Sequence, residues 1–175
     1  MSSKLGVENI AHTNGTNAIN IDSSGRVITQ ANPAFRAEKR ASHQAVSDGA
    51  TTKITFEHSN FDTGSNYDTT NSKYVIPISG IYHFDVLCRA VGDSGTLDFA
   101  ILYLYVNGSH RTDIIQINLA TNQLNNSHIG GSCTLSLTAN DYVEIYGAIS
   151  GSNTAWHKHD SGQRTWFSGF FVGGS

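Results

Sequence analysis

The stretch from Phe99 to Ile117, FAILYLYVNGSHRTDIIQI, constrains the fold more than any other part of the chain. Two apolar arms flank Asn107–Gly108, a dipeptide that favours the positive-φ backbone of a tight two-residue reversal. A β-hairpin is expected here. The same grammar recurs on both sides. Tyr82, Phe84 and Val86 alternate after Ser79–Gly80, and CTLSLTANDYVEIY (133–146) sets two arms about Ala139–Asn140–Asp141. TWFSGFFV (165–172) reads as a last strand. Such arms, with turn signals roughly every ten residues, predict an all-β sandwich or barrel rather than alternating strands and helices.

Charged residues make up 14% of the 175, against roughly 25% in an average soluble protein. The net charge of −3 and pI near 6.2 give no clustered basic face, so no nucleic-acid partner is expected. No apolar run approaches the ~18 residues of a membrane span, so no membrane partner is expected either. The first residues lack the apolar run of a secretory signal. Cys88 shares strand parity with Tyr82, Phe84 and Val86, and Cys133 with Leu135 and Leu137. Both are expected to be buried free thiols, because free cysteine behaves as a small hydrophobe.

Two segments differ from the rest. AFRAEKRASHQAV (34–46) is rich in helix formers but has poor apolar spacing for a helix, so residue preference alone leaves it open between helix and strand. Residues 1–32 hold few large apolar side chains and no aromatics; Ile19 and Ile21 alternate before DSSG, and Val27 and Ile28 follow. This is enough for an extended or hairpin arm that needs something else to pack on. Asn32–Pro33 marks the boundary with a head at 33–175.

In the strand from Phe99 to Val106 both faces are apolar. A sandwich strand has one face on the core and the other normally in water, so the second face needs a cover. With no helix expected, the obvious cover is another subunit, the alternative being a strand buried within a larger single-chain fold, and Phe99, Ile101, Tyr103 and Tyr105 are the expected interface. Tyrosine suits that role because it joins apolar area to a polar tip.

The order of these elements resembles the globular head of complement component 1q, in the superfamily shared with tumour necrosis factor. Phe56, Asp62, Tyr67, Gly80, Tyr82 and Phe84 fall at the spacings of its aromatic and Gly-x-Tyr-x-Phe pattern. Tyr74 stands where Phe is usual, Val86 where an aromatic is usual, and Asn140 where Gly is common. Pro33–Ala37 is similar to the family's first strand, which resolves the 34–46 segment toward strand. Phe167, Gly169 and Phe170 match its terminal strand and complete the expected core pattern. The resemblance covers 33–175 and implies a ten-stranded jelly-roll β-sandwich that forms a homotrimer.

Residues 1–32 resemble the leader, ending Ile-Asp-Ser-Ser-Gly-Arg-Val, that precedes such heads in bacteriophage structural proteins. The two resemblances imply a noncatalytic virion protein, a capsid decoration or a fibre or tail appendage, at the particle surface. Its partners would be itself, other virion proteins through residues 1–32, and a host-surface glycan or protein. The alternative is a soluble lectin-like trimer outside any virion, and a hydrolase is the remote third reading.

No nucleophile elbow, zinc-protease helix or phosphate loop occurs, and His83 and Asp85 read as the polar side of an amphipathic strand. No catalytic residue is expected. The segment 147–165 places Trp156, His157, His159, Asp160 and Arg164 close together ahead of the last strand, as a candidate ligand or receptor contact. Trp156 could stack on a sugar ring there or fold back over the end of the sandwich. No cofactor is required. His157-x-His159 could hold a divalent metal, and calcium, which occurs in parts of the resembled family, would use carboxylates such as Asp62 or Asp68. Solvated turn roles suit those two aspartates better.

Overall fold

Asn107 and Gly108 take φ angles of 53° and 73°, the reversal expected between the two apolar arms. Asn140, where glycine is common in the resembled pattern, takes a φ of 75°. Asparagine tolerates this left-handed region better than other side-chain-bearing residues, so the departure costs little. The two turns are tied together. Asn107 Nδ2 donates to Asp141 Oδ1 at 2.8 Å, and the Tyr142 N–H donates to Asn107 Oδ1 at 2.9 Å.

The computed structural model describes residues 6–15, 17–28, 32–92, 97–118, 125–157 and 165–174, without the side chains of 17, 18, 28 and 157. No helix occurs among them. The arm contributes β1 (Asn9–Ala11), β2 (Asn17–Ile21) and β3 (Val27–Ile28), paired as a three-stranded antiparallel sheet. Asp22 closes the β2–β3 turn. Its Oδ1 accepts the N–H groups of Ser24 and Arg26, each at 2.9 Å, and its Oδ2 accepts Arg26 Nε at 2.7 Å. These donors hold the carboxyl below its usual range.

The head begins with β4 (Ala34–Glu38), β5 (Gln44–Ala45), β6 (Thr52–Lys53), β7 (His58–Asp62), β8 (Tyr67–Asp68) and β9 (Lys73–Val75). It continues with β10 (Gly80–Val91), β11 (Phe99–Val106), β12 (Ser109–Asn118) and β13 (Asn126–Leu137). The last strands are β14 (Tyr142–Ser150), β15 (Ala155–His157) and β16 (Trp166–Gly173). Of these thirteen, β5, β6 and β8 are two-residue pairings, leaving the expected ten longer strands. One seven-stranded sheet runs β5-β15-β10-β16-β4-β7, with β13 on the other edge of β10. The facing six-stranded sheet runs β12-β11-β14-β9-β8, with β6 also on β14. The fold is an all-β jelly-roll sandwich.

Its core is a run of aromatic rings between the sheets. Phe35 stacks on Tyr74 at 4.1 Å and meets Phe167 edge-on at 4.9 Å, and Phe167 lies 5.9 Å from both Phe56 and Phe84. Tyr82, Phe84, Val86 and Cys88 all point inward, as their parity requires, and Leu102, Leu104, Val143 and Ile145 face them from β11 and β14. Two glycines are explained by close approach. A Cβ on Gly169 would lie 2.5 Å from the Phe84 ring, and one on Gly80 would lie 2.6 Å from the Gly173 carbonyl.

Phe170 departs from the expected core set, being 47% exposed. Phe167, Gly169 and Phe171 share the inward parity of β16, so Phe170 necessarily projects from the outer face. In the segment 34–46, Ala34–Glu38 and Gln44–Ala45 are strands rather than helix, and its buried polar residues are paired. Glu38 is fully buried and accepts from Arg40 at 2.6 Å, Arg36 at 3.2 Å and Asn60 at 3.2 Å. Lys39, also buried, donates to Thr55 Oγ1 at 2.7 Å, and loss of hydration pushes its ammonium pKa down.

Candidate functional site

Trp156 is not a surface contact. It is fully buried, on a short strand whose residues pair with both β10 (Ala90↔Trp156) and β5 (Trp156↔Gln44). Its ring occupies the space over Gly147, where a Cβ would fall 2.5 Å from the indole. Burying so large an aromatic outweighs leaving it in a loop, even though its Nε1 finds no partner among the described residues. The side chain of His157, and all of His159, Asp160 and Arg164, lie outside the described residues.

The expected interface strand divides. Ala100, Leu102 and Leu104 face the core, and Phe99, Ile101, Tyr103 and Tyr105 face away from it. Ile101 is nonetheless only 5% exposed in the single chain, so covering it needs no second subunit. Tyr103 and Tyr105 are half-buried among rings supplied by neighbouring strands. Tyr105 stacks on Tyr146 of β14 at 4.0 Å, and His110 of β12 lies edge-on to Tyr103 at 5.5 Å and to Tyr105 at 5.7 Å. Polar groups border this cluster in pairs: Lys53 and Glu144 form an ion pair at 2.9 Å, and His110 Nε2 lies 2.8 Å from Asp113 Oδ1. Burial, and then the Glu144 carboxylate, push the Tyr146 phenol up, so it stays a neutral hydroxyl at ordinary pH.

The outer face of the seven-stranded sheet is different. Phe170 and Val172, 47% and 56% exposed, project from β16, and Phe61 is also exposed, on β7 opposite Arg36. The paired positions Leu87 and Trp166 share this outer face with His83 and Phe170. Beside them Gly130 and Gly131 leave a hollow of about 440 Å³ between His128 and Trp166. Reading the faces of β16 as those of β11 were read would have found this surface, because Trp166, Phe170 and Val172 are all on one parity.

His83 does make polar contacts on that face. Nε2 lies 3.2 Å from Asp85 and Nδ1 lies 3.0 Å from Thr134 Oγ1. This is the spacing of a nucleophile–base pair without its surroundings. Positions 83–85 are laddered to β13 on one side and β16 on the other. Their strand N–H groups are engaged there, and a site for acyl transfer needs donors aimed at a developing oxyanion. Asp62 and Asp68 serve turns. Asp62 accepts the Tyr67 N–H at 2.7 Å, and Asp68 accepts those of Thr70 at 3.0 Å and Asn71 at 2.9 Å. Among the described residues no group of three or more His, Cys, Asp or Glu converges on a point.

With the geometry in place, residues 34–172 match the family model for the C1q domain. The chain belongs to the C1q domain family. Its C1q domain spans β4 to β16, and β1–β3 lie ahead of the matched residues. The globular domain of zebrafish complement 1qA has a similar fold, with a TM-score of 0.56 and 16% identity over 82% of this chain and 99% of that one. The Eiger TNF of S. frugiperda does too, with a TM-score of 0.61 and 12% identity over 82% of this chain and 94% of that one. Among proteins, the C1q-domain chain is 29% identical over 138 residues to the phage-like element PBSX protein XkdV of Bacillus subtilis (strain 168). That match takes in 75% of this chain and 20% of XkdV, so the chain corresponds to a fifth of that protein's length.

Proposed function

We propose that this C1q domain is a noncatalytic structural component of a bacteriophage or phage-derived particle, built as a homotrimer and presented to the host surface. Its likeness to a phage-element protein across 138 residues carries the phage reading. Self-association is supported by the exposed apolar side chains on the seven-stranded face, Phe170 and Val172 foremost. Contiguous exposed apolar area of this kind marks interaction surfaces. Three copies joined head-to-tail would close a ring if each sets this face against a different surface of its neighbour. The earlier candidate interface, Phe99, Ile101, Tyr103 and Tyr105, offers less exposed apolar area.

The arm at residues 1–32 would dock the head to other virion proteins. Ile10 is 50% exposed and Val27 63% exposed, which leaves apolar side chains free for a partner. Light scattering on the full chain should give three times 18.9 kDa, and Phe170→Ser with Val172→Ser should shift it to monomer. A monomeric parent protein would refute the trimer. Gold-labelled antibody on purified virions should mark the particle surface and lose it when residues 1–30 are deleted. Absence of label from particles would instead favour a soluble, lectin-like trimer, a reading that the tyrosine cluster independently supports.

A further inference from the structure

The outer face of the six-stranded sheet has a chemistry of its own. Alternation on β11 and β14 and the register of β12 bring Tyr103, Tyr105, Tyr146 and His110 into one continuous cluster of rings. Tyr142 lies four positions from Tyr146 on the same face of β14, with the Lys73 ammonium 4.9 Å from its ring centre. None of these tyrosines is buried.

The charges around the rings are engaged with neighbours on the same face. Lys53 is paired with Glu144 and also donates to the Asn71 carbonyl at 2.7 Å, while His110 and Asp113 meet each other. The Lys73 ammonium lies over the Tyr142 ring, so these charged groups touch neighbours within the face, while the rings of the cluster carry no charge of their own. What remains is aromatic carbon tipped with phenolic hydroxyls and bordered by the exposed Asp113 carboxylate. That set complements an uncharged ligand whose surface alternates C–H and O–H groups. The C–H bonds of a pyranose ring carry partial positive charge and are drawn to the negative face of an aromatic ring, and the sugar hydroxyls can exchange hydrogen bonds with the phenols and that carboxylate. The rings already hold one another in place, so little side-chain freedom is lost on binding.

We propose that the cluster centred on Tyr105 and Tyr146 is a binding site for an uncharged saccharide. The proposal rests on the host-facing role above and names the partner's chemistry. A second copy of the chain is the poorer occupant. The large exposed apolar side chains Phe61, Phe170 and Val172 belong to strands of the other sheet, and this face's aliphatic member, Ile101, is already buried. With self-association through the seven-stranded sheet, this face stays open in the trimer.

The test uses the full chain on a printed array of neutral oligosaccharides ending in glucose, galactose, rhamnose or N-acetylglucosamine, followed by calorimetry with the best of them. The parent protein should bind at least one. Tyr105→Leu and Tyr146→Leu should each weaken binding at least tenfold while light scattering still reports the parent's assembly. Tyr105→Phe, which keeps the ring, should stay within about threefold. No retention of any neutral oligosaccharide by the parent overturns the proposal, as does binding that survives both leucine changes. Dissociation of the assembly by Tyr105→Leu also overturns it, because the face would then be an intersubunit contact. The phage reading fails separately, through an absence of label on virions, and leaves this site standing.

Discussion

Replacing Trp156 separates its role as a core residue from a role as a contact. The side chain is fully buried, and its indole Nε1 has no partner among the described residues. Trp156→Ala removes a whole buried aromatic, a change that costs about 3–5 kcal/mol in typical cores. Part of that loss is offset, because an unsatisfied buried N–H itself costs about 1–3 kcal/mol and disappears with the ring. The expected loss is therefore near the lower end, about 3 kcal/mol. Trp156→Phe gives up roughly three ring atoms, about 2 kcal/mol at ~0.8 kcal/mol per carbon, and recovers most of it by deleting the orphan donor. It should fall within about 1 kcal/mol of the parent. The assay is urea unfolding followed by circular dichroism at several protein concentrations, since assembly links stability to concentration. If Trp156→Phe proves as damaging as Trp156→Ala, the N–H has a partner and the accounting is wrong. If Trp156→Ala costs under about 1 kcal/mol, the ring is not a core element at all.

The close approach at Gly80 and the two thiols give further tests. Gly80→Ala places a Cβ 2.5 Å from the Phe171 ring and 2.6 Å from the Gly173 carbonyl, where φ is also 158°; a loss of about 2 kcal/mol is expected by calorimetry, and an unchanged melting temperature would contradict it. Burial, and then the Asp85 carboxylate, push the Cys133 thiol up from 9.0 to about 11. At pH 8 its thiolate should be scarcer than a free thiol's by about a hundredfold, so Ellman's reagent should modify it slowly, and prompt stoichiometric reaction would be inconsistent with the packing. Cys88 is pushed further up by complete burial and should stay silent until the protein unfolds. Because the folded state holds these protons more tightly, their contribution is intact below pH 9 and declines as pH rises through about 11, the folded value for Cys133. A urea midpoint that increased across that range would refute the sign.

Much of the fold was legible because it rests on local rules. Asn107–Gly108 dictates its reversal through backbone sterics alone, and Asn140 accepts a left-handed φ for the same reason. Alternation set Tyr82, Phe84, Val86 and Cys88 on one side of β10 whatever the rest of the chain did. The candidate site was less legible. Trp156 looked like a loop residue because its neighbours are Thr, Ala, His and Lys, and its partners lie in β10 and β5, both more than sixty positions earlier. Phe170 looked like core because it sits in an apolar run, yet its parity opposes that of Phe167.

The sequence by itself determined the turns, the strand parity, the inward aromatic set and membership of a β-sandwich class, all properties of residues close along the chain. Only the tertiary structure decided which outer face stays wet. Parity says that two residues share a side, but burial depends on what long-range pairing and sheet stacking lay over that side. The same outward parity therefore leaves Ile101 covered and Tyr105 half-open on one sheet, and leaves Phe170 and Val172 bare on the other.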